Sequence, residues 1–499
     1  MLVSFRSQRL LPLAAFLVFG VLLLILKAPR FRTSPFRYPF QTGPGSLFPV
    51  LTPAQVGAAG GCDSDIAPLS SLGLSEEILY TRRCIKPVFD DAPHPLSRGA
   101  VGEIQQPLID TQVAVNLSSP CFHEGTLPSC APIALRVPPP YPKRTYPHLI
   151  FGISTTYNRL RESLPVFSHW LSASGALLVA VVVDADDAPE GKSKTPRDLQ
   201  ALERLYQDSD MRLHCVKTRN SSLTVDQNHF TVILDMLEAV TPQTKWLGLL
   251  DDDTFFPSLY NLDRALSLHN AEESTWLGAL SEDLEAVRNW GIMAFGGAGV
   301  FLSVPLAREL APHVDDCLAS ARRSTGDVIL ADCVFGRTHT KLTTVEGLHQ
   351  HDLMGDMAGF YESGPRPLLS VHHWKSWYRE PVDRMAAVAD VCGDCFLQRW
   401  RFGADTLLAN GYSIARYIDG LDGIDLSRTE VTWVSPDGSN DNFAWSLGPF
   451  RDRVPDGHKK TYKVLDAVRG GGRLRQLYVY RGNQELGEKD EVVELVWMP

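Results

Sequence analysis

The sequence has no excess of basic residues: 48 Lys and Arg stand against 58 Asp and Glu, a formal net charge of −10. With no dominant cationic patch to neutralise phosphates, that balance argues against non-specific nucleic-acid binding. No internal repeat and no heptad run is present, so neither a solenoid nor a coiled coil is expected. Cys392-Gly-Asp-Cys395 has no second CxxC and no nearby His to complete a zinc site, which leaves a local disulfide or plain burial. What remains is globular material: 44% of the 499 residues are hydrophobic and 21% charged, enough for several cores.

One apolar run breaks that texture. Residues 10–26, "LLPLAAFLVFGVLLLIL", carry no charge, with Arg6 and Arg9 before them and Lys27, Arg30 and Arg32 after. As a helix the run reaches about 26 Å, enough for a thin bilayer. A cleaved signal peptide is the alternative, but "LKAPRFRTS" offers no clear small-x-small cleavage site, and an uncleaved anchor is the expectation. Basic flanks on both sides leave the positive-inside rule undecided. Two sequons, at Asn116 and Asn220, and nine cysteines suit an oxidising lumen beyond the anchor, with several disulfides and one free thiol. Residues 28–60 are rich in Pro, Gly, Ser and Thr, as a stem would be, and 61–146 read as an irregular extension of it.

Order begins at "HLIFGI" (148–153), a β-branched apolar strand, followed by Ser/Thr caps and a helix with Pro165 in its first turns or at a break. "ALLVAVVVD" (176–184) is a continuous apolar run of the kind buried on both faces of a parallel sheet. A helix over 230–240 and the strand "KWLGLL" complete an alternating α/β pattern. Such crossovers put ligand sites at the carboxyl ends of strands. There the sequence sets "DDD".

Three carboxylates against an apolar strand are costly unless a cation or partner offsets them. Oxygen ligands suit Mg²⁺ or Mn²⁺, commonly shared with substrate phosphates. In an extended stretch Asp251 and Asp253 face one way and Asp252 the other. Taken alone, solvated acids in a loop explain a DxD as well as a metal does. "FGGAGVFLSVPLARELAP" (295–312) is a glycine-rich turn leading to a helix, without the GxGxxG register of a dinucleotide site or the Lys-Ser/Thr of a phosphate loop. Its Gly296 and Gly297 suit close backbone approach to a bulky ligand such as a sugar, or simply a tight turn. Asp327 opens a predicted helix, where the macrodipole favours its ionised form; N-capping and general-base roles both fit. His351 in "GLHQHDLMGD" and His372 after the apolar "PLLSV" strand could complete a metal site, since imidazole suits Mn²⁺.

As a set, "FGISTT", "KWLGLLDDDTFF", "WLGALSED", "FGGAGVFLSVPLA", "GDVILADC", "LHQHDLMGD" and "PLLSVHHW" resemble glycosyltransferase family 31, in its Fringe-like branch, over about 148–415. The resemblance implies an α/β GT-A (Rossmann-like) fold, a UDP-sugar donor, Mn²⁺ (or Mg²⁺), and inverting transfer of a hexose or N-acetylhexosamine to a glycan or glycoprotein. It makes Asp253 the principal acidic metal ligand with Asp251 assisting at the metal or at the ribose, and His372 the metal histidine, with His351 as competitor. It makes Asp327 the acid that activates the acceptor hydroxyl, though Gly326 stands where relatives often carry a second acid. "STT" (154–156), with Thr155, and Asp184 fall where the family holds uridine, and Asp252, Gly296 and Gly297 fall at the donor site.

The implied layout is a cytosolic tail (1–9), a transmembrane anchor (10–26), a stem and Cys-containing extension (27–146), a catalytic domain (147–415) and a strand-rich extension (416–499), in a Golgi or ER membrane. Two rivals remain: a silent glycan-binding relative, and a metallo-phosphoesterase using the acids and histidines as a two-metal site.

Overall fold

Strands buried on both faces need apolar residues at every position, and three runs supply them. In the computed structural model, which describes residues 67–90, 100–118, 130–185, 197–434 and 443–498, they form the middle of a seven-stranded sheet. Its strands are β1 (Leu149–Thr155), β2 (Leu177–Val182), β3 (Arg212–Lys217), β4 (Trp246–Leu250), β5 (Trp276–Gly278), β6 (Val300–Ser303) and β7 (Leu342–Thr344). The order is β7-β5-β6-β4-β1-β2-β3. β1 runs parallel to β2 and β4, and β2 parallel to β3. β6 enters antiparallel between β4 and β5.

Helices α1 (Tyr157–Glu162), α2 (Leu164–Leu171), α3 (Leu199–Gln207), α4 (Val225–Glu238) and α5 (Gly326–Arg337) cover this sheet. The side-chain alternation of β1 divides the core: Phe151 and Ile153 pack with Phe167 and Trp170 of α2, whereas Ile150 faces the layer of Phe230 and Ile233 from α4 and Ile329 from α5. Pro165, which has no amide to donate, sits in the first turn of α2, and the chain breaks at Ser163 between α1 and α2. A capping box between Thr224 and Gln227 starts α4 at Val225, five residues before the 230 expected from apolar spacing.

The segment expected as an irregular stem extension belongs to a second sheet. Ten strands compose it, contributed from both ends of the described chain. Glu77–Phe89 pairs in parallel with Asp490–Trp497, in register from Ile78 opposite Asp490 to Ile85 opposite Trp497. Arg82 hides the strand from pattern reading, because its charge is met by the buried Glu494 of the distant partner strand, at 2.7 Å. The expected boundary at 415/416 also falls inside a strand, Ser413–Tyr417, of this same sheet.

The expected strand over 367–371 reduces to one bridge, in which Val371 and Phe255 exchange backbone hydrogen bonds of 2.9 Å. Pro365 and Pro367 remove amides a ladder would need. Disulfides join Cys84 to Cys130, Cys317 to Cys333 and Cys392 to Cys395, while Cys215 is a buried free thiol. The tail, the 10–26 anchor and the 28–60 stem lie outside the described residues; among those described, no helix is long and apolar enough to cross a membrane.

Candidate active site

β4 ends at Leu250 and the chain turns at once. The Thr254 amide donates to the Asp251 carbonyl at 3.1 Å, the Asp251 amide to Thr254 Oγ1 at 3.2 Å, and that hydroxyl donates to the Gly297 carbonyl at 2.9 Å. A turn, rather than an extended strand, thus sorts the three acids. Asp252 is buried away from its neighbours, its Oδ2 accepting from Arg159 Nε at 2.6 Å and also from the Thr155 hydroxyl. Its charge is met by protein, and it ties the start of α1 to the turn. Asp184 is likewise engaged: it accepts from the Tyr157 amide at 2.7 Å and pairs with Arg197.

Asp251 and Asp253 meet His372. Its Nε2 lies 3.1 Å from Asp251 Oδ2 and 3.0 Å from Asp253 Oδ1. Its Nδ1 is 3.0 Å from the carbonyl of Gln350, and because a carbonyl only accepts, Nδ1 carries hydrogen. In the neutral ring the Nε2 lone pair would therefore point at two carboxylates, an arrangement that calls for a proton or a cation between them. Burial by itself favours the neutral ring, but the two acids outweigh it and hold the His372 pKa well above its ordinary value. Burial likewise raises both carboxyls, and His372 outweighs it, holding Asp251 and Asp253 below the usual carboxylate range.

Two carboxylate oxygens and one imidazole nitrogen are donor types that suit a divalent ion such as Mn²⁺. Asp251 is the open member, its side chain 40% exposed against 6% for Asp253, so an ion held here would face solvent, or a ligand, on the Asp251 side. Among the described residues, the group whose ligand atoms all lie within 4.8 Å of one another is Asp253, His372 and His373, with Asp251 outside it although 3.1 Å from His372 Nε2. His373 has its Nε2 taken by Asp352 at 3.2 Å and its Nδ1 by Ser376 at 3.3 Å, which leaves Asp251 the freer third donor.

The glycine-rich turn closes on this cluster. A Cβ at Gly297 would stand 2.0 Å from His372 Nδ1, and one at Gly296 would stand 2.5 Å from Asp327 Oδ1. What the two missing side chains make room for, among the described residues, is the imidazole and the carboxylate. Asp327 lies in the first turn of α5. Its pKa is pushed up to about 6, chiefly by burial and also by Asp251, against the opposing pull of His229 and the Gly296 amide. At this helix start burial outweighs the macrodipole that favours the ionised form.

His351, the competing histidine, is brought elsewhere. It is fully buried, edge-on to Phe360 with ring centroids 4.2 Å apart, its Nδ1 2.5 Å from the Tyr378 hydroxyl. Burial pushes its pKa well below the ordinary value. Tyr378 in turn donates to the His372 carbonyl, so His351 stands behind the loop that carries His372 and does not join the acids.

Sequence reasoning passed over Gln350, Ser376, Arg159 and above all His229, which lies between Asp251 and Asp327. The Thr224–Gln227 box was the available signal. It moves the start of α4 to the edge of the sheet where strands deliver ligand-binding residues, and His229 with it.

A family described as "Protein of unknown function, DUF604" matches residues 288–388, which include Gly296, Gly297, Asp327, His351 and His372. No curated protein matches. Among solved structures, the mannosyltransferase PcManGT from Pyrobaculum calidifontis, in complex with GDP-Man and Mn²⁺, overlaps 42% of this chain at 11% identity and a TM-score of 0.27. The overlap spans 57% of that protein, little more than half its length. Mouse xyloside xylosyltransferase 1, in its apo form, overlaps 40% of this chain and 85% of its own, at 11% identity and a TM-score of 0.26. The 4-diphosphocytidyl-2C-methyl-D-erythritol synthase from Anaerococcus prevotii overlaps 40% and 90%, at 13% identity and a TM-score of 0.25. Overlaps of this extent assign neither family nor activity.

Proposed function

We propose that the protein is an inverting, metal-dependent glycosyltransferase of GT-A type that moves a hexose or N-acetylhexosamine from a UDP-sugar to a hydroxyl of a glycan or glycoprotein. One observation carries the reading: His372 Nε2 faces Asp251 and Asp253 at 3.1 and 3.0 Å just beyond a strand end, with Asp327 beside the same turn.

Asp251, Asp253 and His372 would hold Mn²⁺ (or Mg²⁺), with the Gln350 carbonyl fixing the ring and Ser376 donating to Asp253 Oδ2 at 3.0 Å. An ion there would offset diphosphate charge and make UDP a better leaving group. Asp327, ionised above its pKa of about 6, accepts the acceptor hydroxyl's proton. That oxygen forms its bond to the anomeric carbon on the face opposite the departing phosphate oxygen, which inverts the centre and gives a β-linkage, in our reading β-1,3. Thr155 and Asp184, at the ends of β1 and β2, border the space in which we set the uridine.

We further propose a Golgi or ER location, with the described residues lumenal and residues 10–26 as a type II anchor. The three disulfides among the described residues and the exposed Asn220 of its sequon favour that compartment. The test of function is a donor panel of UDP-glucose, UDP-galactose, UDP-GlcNAc and UDP-GalNAc, each assayed for UDP release with and without Mn²⁺. Metal-dependent release from one donor is expected; none from any of the four overturns the reading.

A further inference from the structure

His229 occupies a position that packing alone does not account for. It lies in the second turn of α4 and is buried, with 7% of its side chain exposed. Its Nε2 stands 3.4 Å from Asp251 Oδ1 and makes no hydrogen bond; its Nδ1 stands 4.0 Å from Asp327 Oδ1. Two glycines from separate segments leave space for the ring. A Cβ at Gly296 would lie 3.0 Å from His229 Cε1, and one at Gly326 would lie 2.7 Å from His229 Nδ1. Buried polar atoms are nearly always paired. Here the slot is cleared on two sides, and the nitrogens look towards two carboxylates of the active site.

We propose that His229 is a positioning residue for the base, braced against Asp251 through Nε2 and setting the orientation of the Asp327 carboxylate through Nδ1. The role ascribed to Asp327 rests on the glycosyltransferase reading; the linkage of the three side chains does not. Asp251 is divided between two imidazoles, Oδ2 towards His372 and Oδ1 towards His229. The base is thereby referenced to the carboxylate that fixes the metal. An acceptor hydroxyl must meet the base and the anomeric carbon together, and a displacement near 1 Å in such an arrangement costs roughly 10²-fold in rate.

The test compares His229→Leu with His229→Asn in the full chain. The two side chains are nearly isosteric, but Asn keeps a polar atom close to the place of Nδ1. With the donor that works best for wild type, the Leu variant is expected to lose at least about tenfold in kcat with donor KM little changed, and the Asn variant to recover much of that loss. Calorimetry with UDP and Mn²⁺ should give wild-type affinity for both. Equal kcat in wild type and both variants, equal impairment of both, or a loss confined to donor KM overturns the proposal. Should wild type turn over no donor, or should the variants not fold, the linkage is read without catalysis, from the His229 Nδ1 ¹⁵N resonance in wild type and in Asp327→Asn. Movement of that resonance supports the linkage and an unmoved one overturns it, whereas absent wild-type turnover counts against the glycosyltransferase reading alone.

Discussion

His372 Nε2 lies 3.0 Å from Asp253 Oδ1, on a ring whose other nitrogen is committed to the Gln350 carbonyl. The acids outweigh the cost of burial and keep that ring protonated well above its ordinary pKa when no metal is bound. A divalent ion must therefore displace a proton. The sign follows: lowering the pH favours the competing proton, so Mn²⁺ affinity falls as pH falls, and it levels off only once pH exceeds the raised pKa of His372. About one proton should be released per ion at pH 7. Titration of MnCl₂ in two buffers of different ionisation enthalpy measures it, and a pH-independent affinity with no proton release would refute the ligand assignment.

The three adjacent acids should respond differently to removal. Asp253→Ala takes away a ligand and should abolish Mn²⁺-dependent UDP binding. Asp252→Ala should leave metal binding in place and cost stability instead, because its partner Arg159 is left behind. That side chain is 45% exposed and can turn to water, so the cost is nearer ~1 kcal/mol than the 3–5 kcal/mol of a stranded buried charge. Calorimetry and urea unfolding on the two variants separate the roles; loss of metal by both would contradict the division made by the turn.

Asp327→Asn should lower transfer by roughly 10²–10⁴ while UDP binding persists. It should also raise the melting temperature of the metal-free protein at pH 7.5. The Asp327 pKa is raised to about 6 by burial, so the native state binds its proton more tightly than the unfolded chain. Its contribution to stability is greatest at low pH and is lost as pH rises through about 6, where the ionised group bears the desolvation cost. Asparagine carries no such charge. A variant that is both active and no more stable than wild type would remove Asp327 from the proposed role.

The parts legible in the sequence were those written locally. β2 and β4 are unbroken apolar runs, as is β1 through Ile153, and Asp251–Asp253 follow one of them directly. What was not legible depends on partners far along the chain. Arg82 makes sense in a strand only once Glu494 is beside it. His351 and His372 look alike in sequence, and their separation comes from where the Phe255–Val371 bridge lets the loop re-enter the site. Gly297 suited a ligand-facing turn, but the contact that requires it to be glycine is a side chain far along the chain, His372. β6 was missed because four residues after a glycine turn carry too short a pattern to distinguish from a helix start.

That contact gives a direct test of how rigidly the cluster is held. Gly297→Ala sets a methyl where the His372 ring now lies, 2.0 Å from Nδ1 and 2.1 Å from Cε1, so ring or turn must move. Since Nδ1 also holds the Gln350 carbonyl, a shift of the ring that relieves the clash breaks the bond that orients Nε2. Mn²⁺ affinity should fall by about 10–100-fold, the range seen when the partners of a metal ligand are removed. Gly336→Ala is the matched control: it lies in the last turn of α5 with nothing within 4 Å of the added methyl, and should stabilise the helix by at most about 1 kcal/mol without touching metal binding. Titrating both variants with Mn²⁺ decides the matter. If Gly297→Ala binds the ion as tightly as Gly336→Ala does, His372 is free to rearrange and the cluster is not held rigidly.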